Sequence, residues 1–202
     1  MIIASWNVRG LTDPDKQKMV WDWVTAEKIN IMGILETKIK KEPLDFFLRS
    51  RCAGWLHCGY FGSQSKSRML VLWRPGPVEV EVLAVHPQLI HLRASCKVSS
   101  QSFLVTFVYA FNSIVARRDL WDQLREYESG RTEPWMVLGD FNTVLREEEK
   151  RGGQPITSYQ VQDFVDCCSD TGFTDVPSSG FFYTWTNHTV WSKLDRVMMN
   201  DV

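Results

Sequence analysis

Apolar residues along this chain gather into short runs that stop on a polar residue, and most of what the sequence reveals follows from that pattern. The runs MIIASWN at 1–7, INIMGILE at 29–36 and WMVLGDFN at 135–142 read as buried strands. They deliver Asn7, Glu36, and the pair Asp140 and Asn142 to strand ends. Gly139 after the third run predicts a sharp turn there. Between the first two runs, apolar residues at 19, 20, 23, 24 and 26 have helical spacing, and Pro14 suits a first turn, so a helix is expected over Asp15–Lys28. A short helix is expected near Leu44–Cys52. From Trp55 to Tyr109 the texture changes to MLVLWR, VEVEVLAV, LIHLRASC and SFLVTFVY, separated by Gly, Pro or Ser, as in an antiparallel sheet of consecutive hairpins. Helices are expected over Ile114–Glu128 and Ser158–Thr171. Strands alternating with helices imply a layered α/β architecture rather than a bundle.

A polar residue after a strand is ordinarily a turn or cap residue. Taken together, Asn7, Glu36, Asp140, Asn142 and the Asp195 of VWSKLDR form a set that turns have no reason to select. Residues two apart in an extended segment point the same way, so Asp140 and Asn142 could face one site while Phe141 packs opposite. Asp140 could accept a proton or orient a water, and Asn142 could donate to a phosphate oxygen. Carboxylates with amides, and no His or Cys at metal spacing, favour a hard cation such as Mg²⁺ or Mn²⁺ over zinc. Phosphate ester cleavage fits that set. Glycoside hydrolysis would use the carboxylates but leaves the asparagines without a role. Nucleophilic hydrolysis is weaker still, because G-x-S-x-G is absent and His57, His86, His91 and His188 read as structural or exposed. The consecutive Glu147, Glu148 and Glu149 cannot all face one ion and read as a solvated loop. Glu79 and Glu81 of VEVEV read as the wet face of a strand.

At 202 residues one well-buried domain is expected, with 44% hydrophobic and 23% charged residues. A net charge of −1 gives no global attraction to polyanions, so nucleic-acid binding would be local. Lys66 with Arg68, Arg117 with Arg118, and Lys150 with Arg151 read as solvated faces; Lys38, Lys40 and Lys41 gain weight from standing beside Glu36. Five cysteines without CxxC spacing, no charged-then-apolar leader and no membrane-length apolar stretch lead to an expectation of an intracellular protein. The tryptophans fall in amphipathic or apolar runs and are explained by packing.

With these residues in place, the chain resembles the endonuclease/exonuclease/phosphatase superfamily, which includes apurinic endonucleases and deoxyribonuclease I. It looks most like the endonuclease domain of plant non-LTR (LINE) retrotransposons. SWNVRGL at 5–11, ILETK at 34–38, FVYA at 107–110, LGDFN at 138–142, YTWTN at 183–187 and SKLDRVMMN at 192–200 carry the resemblance, in family order.

The resemblance implies a four-layer α/β sandwich, two face-to-face mixed and mainly antiparallel sheets flanked by helices. It implies Glu36 as the main Mg²⁺ or Mn²⁺ ligand supported by Asn7, and Asp140 orienting or activating water. Asn142 would hold that water or the phosphate, and Tyr109 would contact the phosphate. Asp195 would join the catalytic set, with Lys38, Thr184 and Trp185 on the substrate side. The implied reaction is nicking of DNA to leave a 3′-hydroxyl that primes a reverse transcriptase, carried in full-length relatives, by a monomeric nuclear protein. The family's Ser-Asp-His segment, whose His pairs with the position of Asp195, is absent from this sequence. The expectation is therefore a missing last strand, an unpaired sheet edge and impaired activity. A non-catalytic remnant binding nucleic acid or a partner, and a phosphatase of small esters on the same fold, are the competing readings.

Overall fold

The computed structural model describes residues 1–62, 66–130 and 132–201; Val202 of the terminal Asn-Asp-Val lies outside the described residues. Two compact units divide the chain, Met1–Phe107 and Val108–Val202. The α/β class read from the sequence holds, with two mixed sheets flanked by helices.

The first unit opens with β1 (Ile3–Asn7), α1 (Pro14–Ala26) and β2 (Ile31–Leu35), in which β1 runs parallel to β2. Then come α2 (Lys41–Arg51), β3 (Leu56–Phe61) and β4 (Ser67–Trp73), which complete a sheet in the order β1-β2-β4-β3 with β1 and β3 at its edges. Alternation decides what each face meets. Met32, Ile34, Leu70 and Leu72 pack with Val20 and Val24 of α1 and with Leu44 and Phe47 of α2 in one apolar cluster. On the opposite face, a Cβ at Gly33 would lie 2.1 Å from the Phe107 ring, so only glycine lets β2 approach that ring. Phe107 belongs to β7 (Ser102–Tyr109), which follows β5 (Val78–Val85) and β6 (Leu89–Cys96) in the order β7-β6-β5. Helices, sheet and second sheet thus form three layers in this unit.

The hairpin reading of 55–109 needs one correction. β3 with β4 and β5 with β6 are antiparallel hairpins, but they belong to different sheets, and the chain changes sheet between β4 and β5. Arg74, Pro75 and Gly76, all exposed, separate them. Helix α1 begins under the side-chain cap of Asp13, which accepts from the Asp15 amide, and stops at Ala26 rather than Lys28. Its buried stripe is Gln17, Val20 and Val24; Met19 and Trp23 are exposed, and Trp23 lies edge-on to Trp6.

In the second unit, α3 (Ile114–Glu128) leads to β8 (Trp135–Asp140), and β9 (Lys150–Arg151) to α4 (Ser158–Thr171). Next come β10 (Thr174–Asp175), β11 (Trp185–Thr186), β12 (Trp191–Ser192) and β13 (Asp195–Met199). β13 lies antiparallel between β8 and β10, while β11, β12 and β9 make a small separate sheet. Both helices match the spans their periodicity predicts. Trp121 of α3 stacks on Phe164 of α4 at 4.6 Å, and Phe141 stacks on Phe164 at 5.1 Å. That aromatic stack anchors the helices to the end of β8. No described helix is long and apolar enough to cross a membrane.

Candidate active site

In the first unit, pairing of β1 with β2 brings Asn7 opposite Leu35, so Glu36 follows directly beyond it. The pairing continues past the strands: the Gly10 amide donates to the Glu36 carbonyl at 2.7 Å, and the Glu36 amide donates to the Arg68 carbonyl at 2.8 Å. Glu36 and Lys38 both take left-handed backbone conformations, φ +56° and +54°, on either side of buried Thr37. Such angles cost non-glycine residues about 1–2 kcal/mol each, and here two of them fall at a strand end carrying the candidate ligand. Lys38 Nζ lies 2.5 Å from Glu36 Oε1, the carboxylate being mostly covered and the lysine open to solvent. The Asn7 Oδ1 accepts from the Arg9 amide at 3.0 Å, which orients the side chain. The backbones of Asn7 and Glu36 therefore stand at neighbouring strand ends, with Lys38 paired to Glu36.

The second unit gathers the remaining candidates at the ends of β7, β8 and β13. Asp140 and Asp195 are direct partners across β8 and β13, so their side chains share one face. The Ala110 amide donates to the Asp140 carbonyl at 2.9 Å, which sets Tyr109 and Ala110 beside the same strand end. Asp140 and Asn142 do converge, but not by extended alternation. Asn142 is left-handed at φ +49°, and its amide donates to Asp140 Oδ1 at 2.9 Å, so a tight turn joins them. Asn142 Nδ2 donates to the Ala110 carbonyl at 2.8 Å, which fixes the amide plane. Phe141 between them is buried as expected. Gly139 is not the turn. It lies within β8, where a Cβ would sit 2.1 Å from the Val108 carbonyl oxygen.

Thr184 braces this site through its hydroxyl. Its Oγ1 accepts from the Leu194 and Asp195 amides at 3.0 and 2.9 Å, pinning the start of β13. Trp185 belongs to the small sheet, opposite Ser192. Around it, Phe181 is 94% exposed, Lys193 Nζ lies 5.6 Å from the Phe182 ring, and Arg151 lies 5.9 Å from the Trp191 ring. A cavity of about 250 Å³ opens beside Asn142, bordered by Asn112, Arg117, Lys150 and Gln160.

Three charged residues were misread or passed over in the sequence. Glu149 is not solvated: it is buried and forms a two-pronged pair with Arg196, Nη2 to Oε2 at 2.7 Å and Nη1 to Oε1 at 3.2 Å. Arg196 Nη1 also donates to Asp175 at 3.1 Å, and the Leu145 amide donates to Glu149 at 2.6 Å. Arg117, read as a solvated face, is only 4% exposed. Its signal was present, since Arg117, Leu120, Trp121 and Leu124 share the buried stripe of α3.

Among the described residues, no three His, Cys, Asp or Glu side chains are gathered as a metal cage. One carboxylate with a neighbouring amide nevertheless suits Mg²⁺, which keeps several waters and takes few protein ligands.

Strand-end carboxylates and amides on an α/β scaffold suit phosphate-ester hydrolysis. Residues 4–201 match the Endonuclease/Exonuclease/phosphatase family, and the chain belongs to it. Similar solved structures include the endonuclease domain of TRAS1, a telomere-specific non-LTR retrotransposon, at 9% identity and a TM-score of 0.74, covering 98% of this chain and 84% of that one. AP endonuclease LMAP from Leishmania major is 12% identical, with a TM-score of 0.72 and coverage of 98% and 78%. The 3′ phosphatase NExo from Neisseria, bound to product DNA hairpin, is 18% identical, with a TM-score of 0.68 and coverage of 98% and 86%. At these identities the likeness is one of fold.

Proposed function

We propose that this chain is a DNA-nicking endonuclease domain of the non-LTR retrotransposon kind, hydrolysing a phosphodiester with Mg²⁺ or Mn²⁺ and leaving a 3′-hydroxyl. The observation that carries the reading is the facing pair Asp140 and Asp195 beside an Asn142 whose amide is held in one plane. Held by Glu36 with Asn7 beside it, the cation would supply neutralisation of phosphate charge. Asp140 orients the attacking water and accepts its proton, with Asp195 opposite it maintaining a negative field at that water. Asn142, one N–H committed to Ala110, turns its remaining amide groups toward the phosphate, and the Tyr109 hydroxyl donates to a phosphate oxygen. Lys38 and Trp185 contact the substrate backbone.

A polymeric substrate is favoured by the exposed aromatic rings near Thr184, Phe181, Phe182 and Trp191, the last with Arg151 5.9 Å from its ring. On this reading the protein is a monomer that works in the nucleus, and its nick primes a reverse transcriptase of the same plant LINE element.

The test is nicking of supercoiled plasmid by the purified chain. Mg²⁺-dependent conversion to open circles, abolished by EDTA and reduced by Glu36→Gln about a hundredfold or more, is expected. Absence of nicking with every divalent cation tried would overturn the reading. One observation favours a second reading, a phosphatase of small esters: the cavity beside Asn142 is large enough for a single ester and carries Arg117 and Lys150. Phosphate release from p-nitrophenyl phosphate without plasmid nicking would select it.

A further inference from the structure

Arg117 is an expensive residue where it stands. It is 96% buried, by the 4% exposure of the residue, and no carboxylate among the described residues lies within ion-pair distance of it. It also occupies the first turn of α3, behind the Ser113 cap, where the helix dipole disfavours a cation. Burial lowers its proton affinity, with Asp163 restoring part of it from a distance. A buried charge without an acid partner needs a reason.

That reason is at one nitrogen. The two N–H groups of Nη1 are shared among three backbone carbonyls, Phe111 at 3.1 Å, Asn112 at 3.0 Å and Asn142 at 3.1 Å. Two segments far apart in sequence, the one after β7 and the one after β8, are thereby tied together. The Asn142 turn is left-handed and disfavoured for a non-glycine residue, so it persists only where its surroundings over-determine it. Its amide is held by Asp140, its side chain by Ala110 and its carbonyl by Arg117. The same guanidinium borders the cavity beside Asn142.

We infer that Arg117 is a positioning residue, which holds the Asn142 turn in its active geometry through Nη1 and places an unneutralised positive charge behind the phosphate that Asn142 meets. The inference rests on the nuclease reading for its catalytic consequence but not for its structural one. A side chain without N–H donors would release both segments. An ammonium, one bond shorter but carrying three donors on one nitrogen, would keep most of the clamp.

Three substitutions grade the donors available on one nitrogen: Arg117→Lys has three, Arg117→Gln two and Arg117→Met none. Hydrogen exchange of the 202-residue chain is read first. Amides of 140–143 are expected to exchange at least tenfold faster in Arg117→Met while amides of β13 and α4 hold their rates, with Gln intermediate and Lys within threefold of the parent. Plasmid nicking is read second, with kcat expected to fall at least tenfold in Arg117→Met and KM to change little. In an Asn142→Ala background, Arg117→Met should cost no further tenfold, because both act through one turn. Should Arg117→Met fail to fold, the Gln and Lys pair carries the comparison. Unchanged or uniformly raised exchange would overturn the inference, as would full additivity with Asn142→Ala or Arg117→Lys behaving like Arg117→Gln. If the parent chain nicks nothing, the nuclease reading fails, and exchange at 140–143 alone still decides the role of Arg117.

Discussion

Asp140 and Asp195 stand directly opposite each other on β8 and β13, two carboxylates on one face of a sheet. Like charges so placed are unfavourable by a few tenths to about 1 kcal/mol. Asp195→Asn is therefore expected to leave the melting temperature unchanged or raise it, while nicking falls about a hundredfold or more. Thermal unfolding and plasmid assays on the same preparation check both halves. A variant that lost stability and activity in parallel would mean that Asp195 serves the fold instead.

Gly139 shows the opposite case, a position where packing and backbone conformation set the residue. A methyl group there would meet the Val108 carbonyl oxygen at 2.1 Å, and the backbone at φ +139° is one that side chains avoid. Gly139→Ala is expected to cost roughly 2–5 kcal/mol, from overpacking plus backbone strain. Gly172→Ala is the control, since Gly172 ends α4 at φ +67° with nothing within 4 Å of its absent Cβ. It should cost only about 1–2 kcal/mol. Urea unfolding of the two would show equal losses if conformation, and not the approach to Val108, were the cause.

What could be read in the sequence depended on whether a residue's role was local. The spans of α3 and α4 followed from helical spacing, with the Ser113 cap and the Thr157–Gln160 capping box marking where they start and Gly172 where α4 stops. Asn7, Glu36 and Asp140 were visible because each stands where an apolar run ends, at a strand end of one or the other sheet. The sheet change between β4 and β5 was not visible, because a hairpin looks the same whichever sheet receives it. Glu149 was misread for a related reason: its partner Arg196 is 47 residues away, and nothing local distinguishes a buried acid from its solvated neighbours Glu147 and Glu148. Arg117 could have been found on the buried stripe of α3, but charge was weighed above periodicity.

The Glu149–Arg196 pair makes stability depend on acid. Burial opposes ionisation of Glu149, yet the Arg196 hydrogen bonds, the Leu145 amide and the Arg196 charge outweigh it and hold the carboxyl below its ordinary range. A carboxyl whose folded value is depressed contributes stability in full above its unfolded value, about 4.3, and loses it as pH falls through the folded value. The urea midpoint of the parent should therefore hold down to about one unit above that reference value and fall progressively below it. Glu149→Gln should lie below it at pH 7, by less than the roughly 3–5 kcal/mol of a fully broken buried pair because Arg196 keeps Asp175 at 3.1 Å, and should show a shallower acid limb. A parallel pair of midpoint curves would remove Glu149 from the account of acid sensitivity.

Thr184 offers a test in which two roles give different kinetics. Its hydroxyl accepts from the Leu194 and Asp195 amides, so it sets where β13 starts and hence where Asp195 lies. Thr184→Val keeps the shape and leaves both amides to water, a loss of about 1 kcal/mol because the bonds are exposed. Through displacement of Asp195, kcat should fall while KM stays within about twofold, since the interaction removed is one that shapes the reacting centre and not one that holds the substrate. Thr184→Ser retains the oxygen and should behave as the parent in both respects. A side chain that touched the substrate backbone would show the reverse, with KM raised in Thr184→Val at unchanged stability, because removing it would take away binding energy shared by ground and transition states.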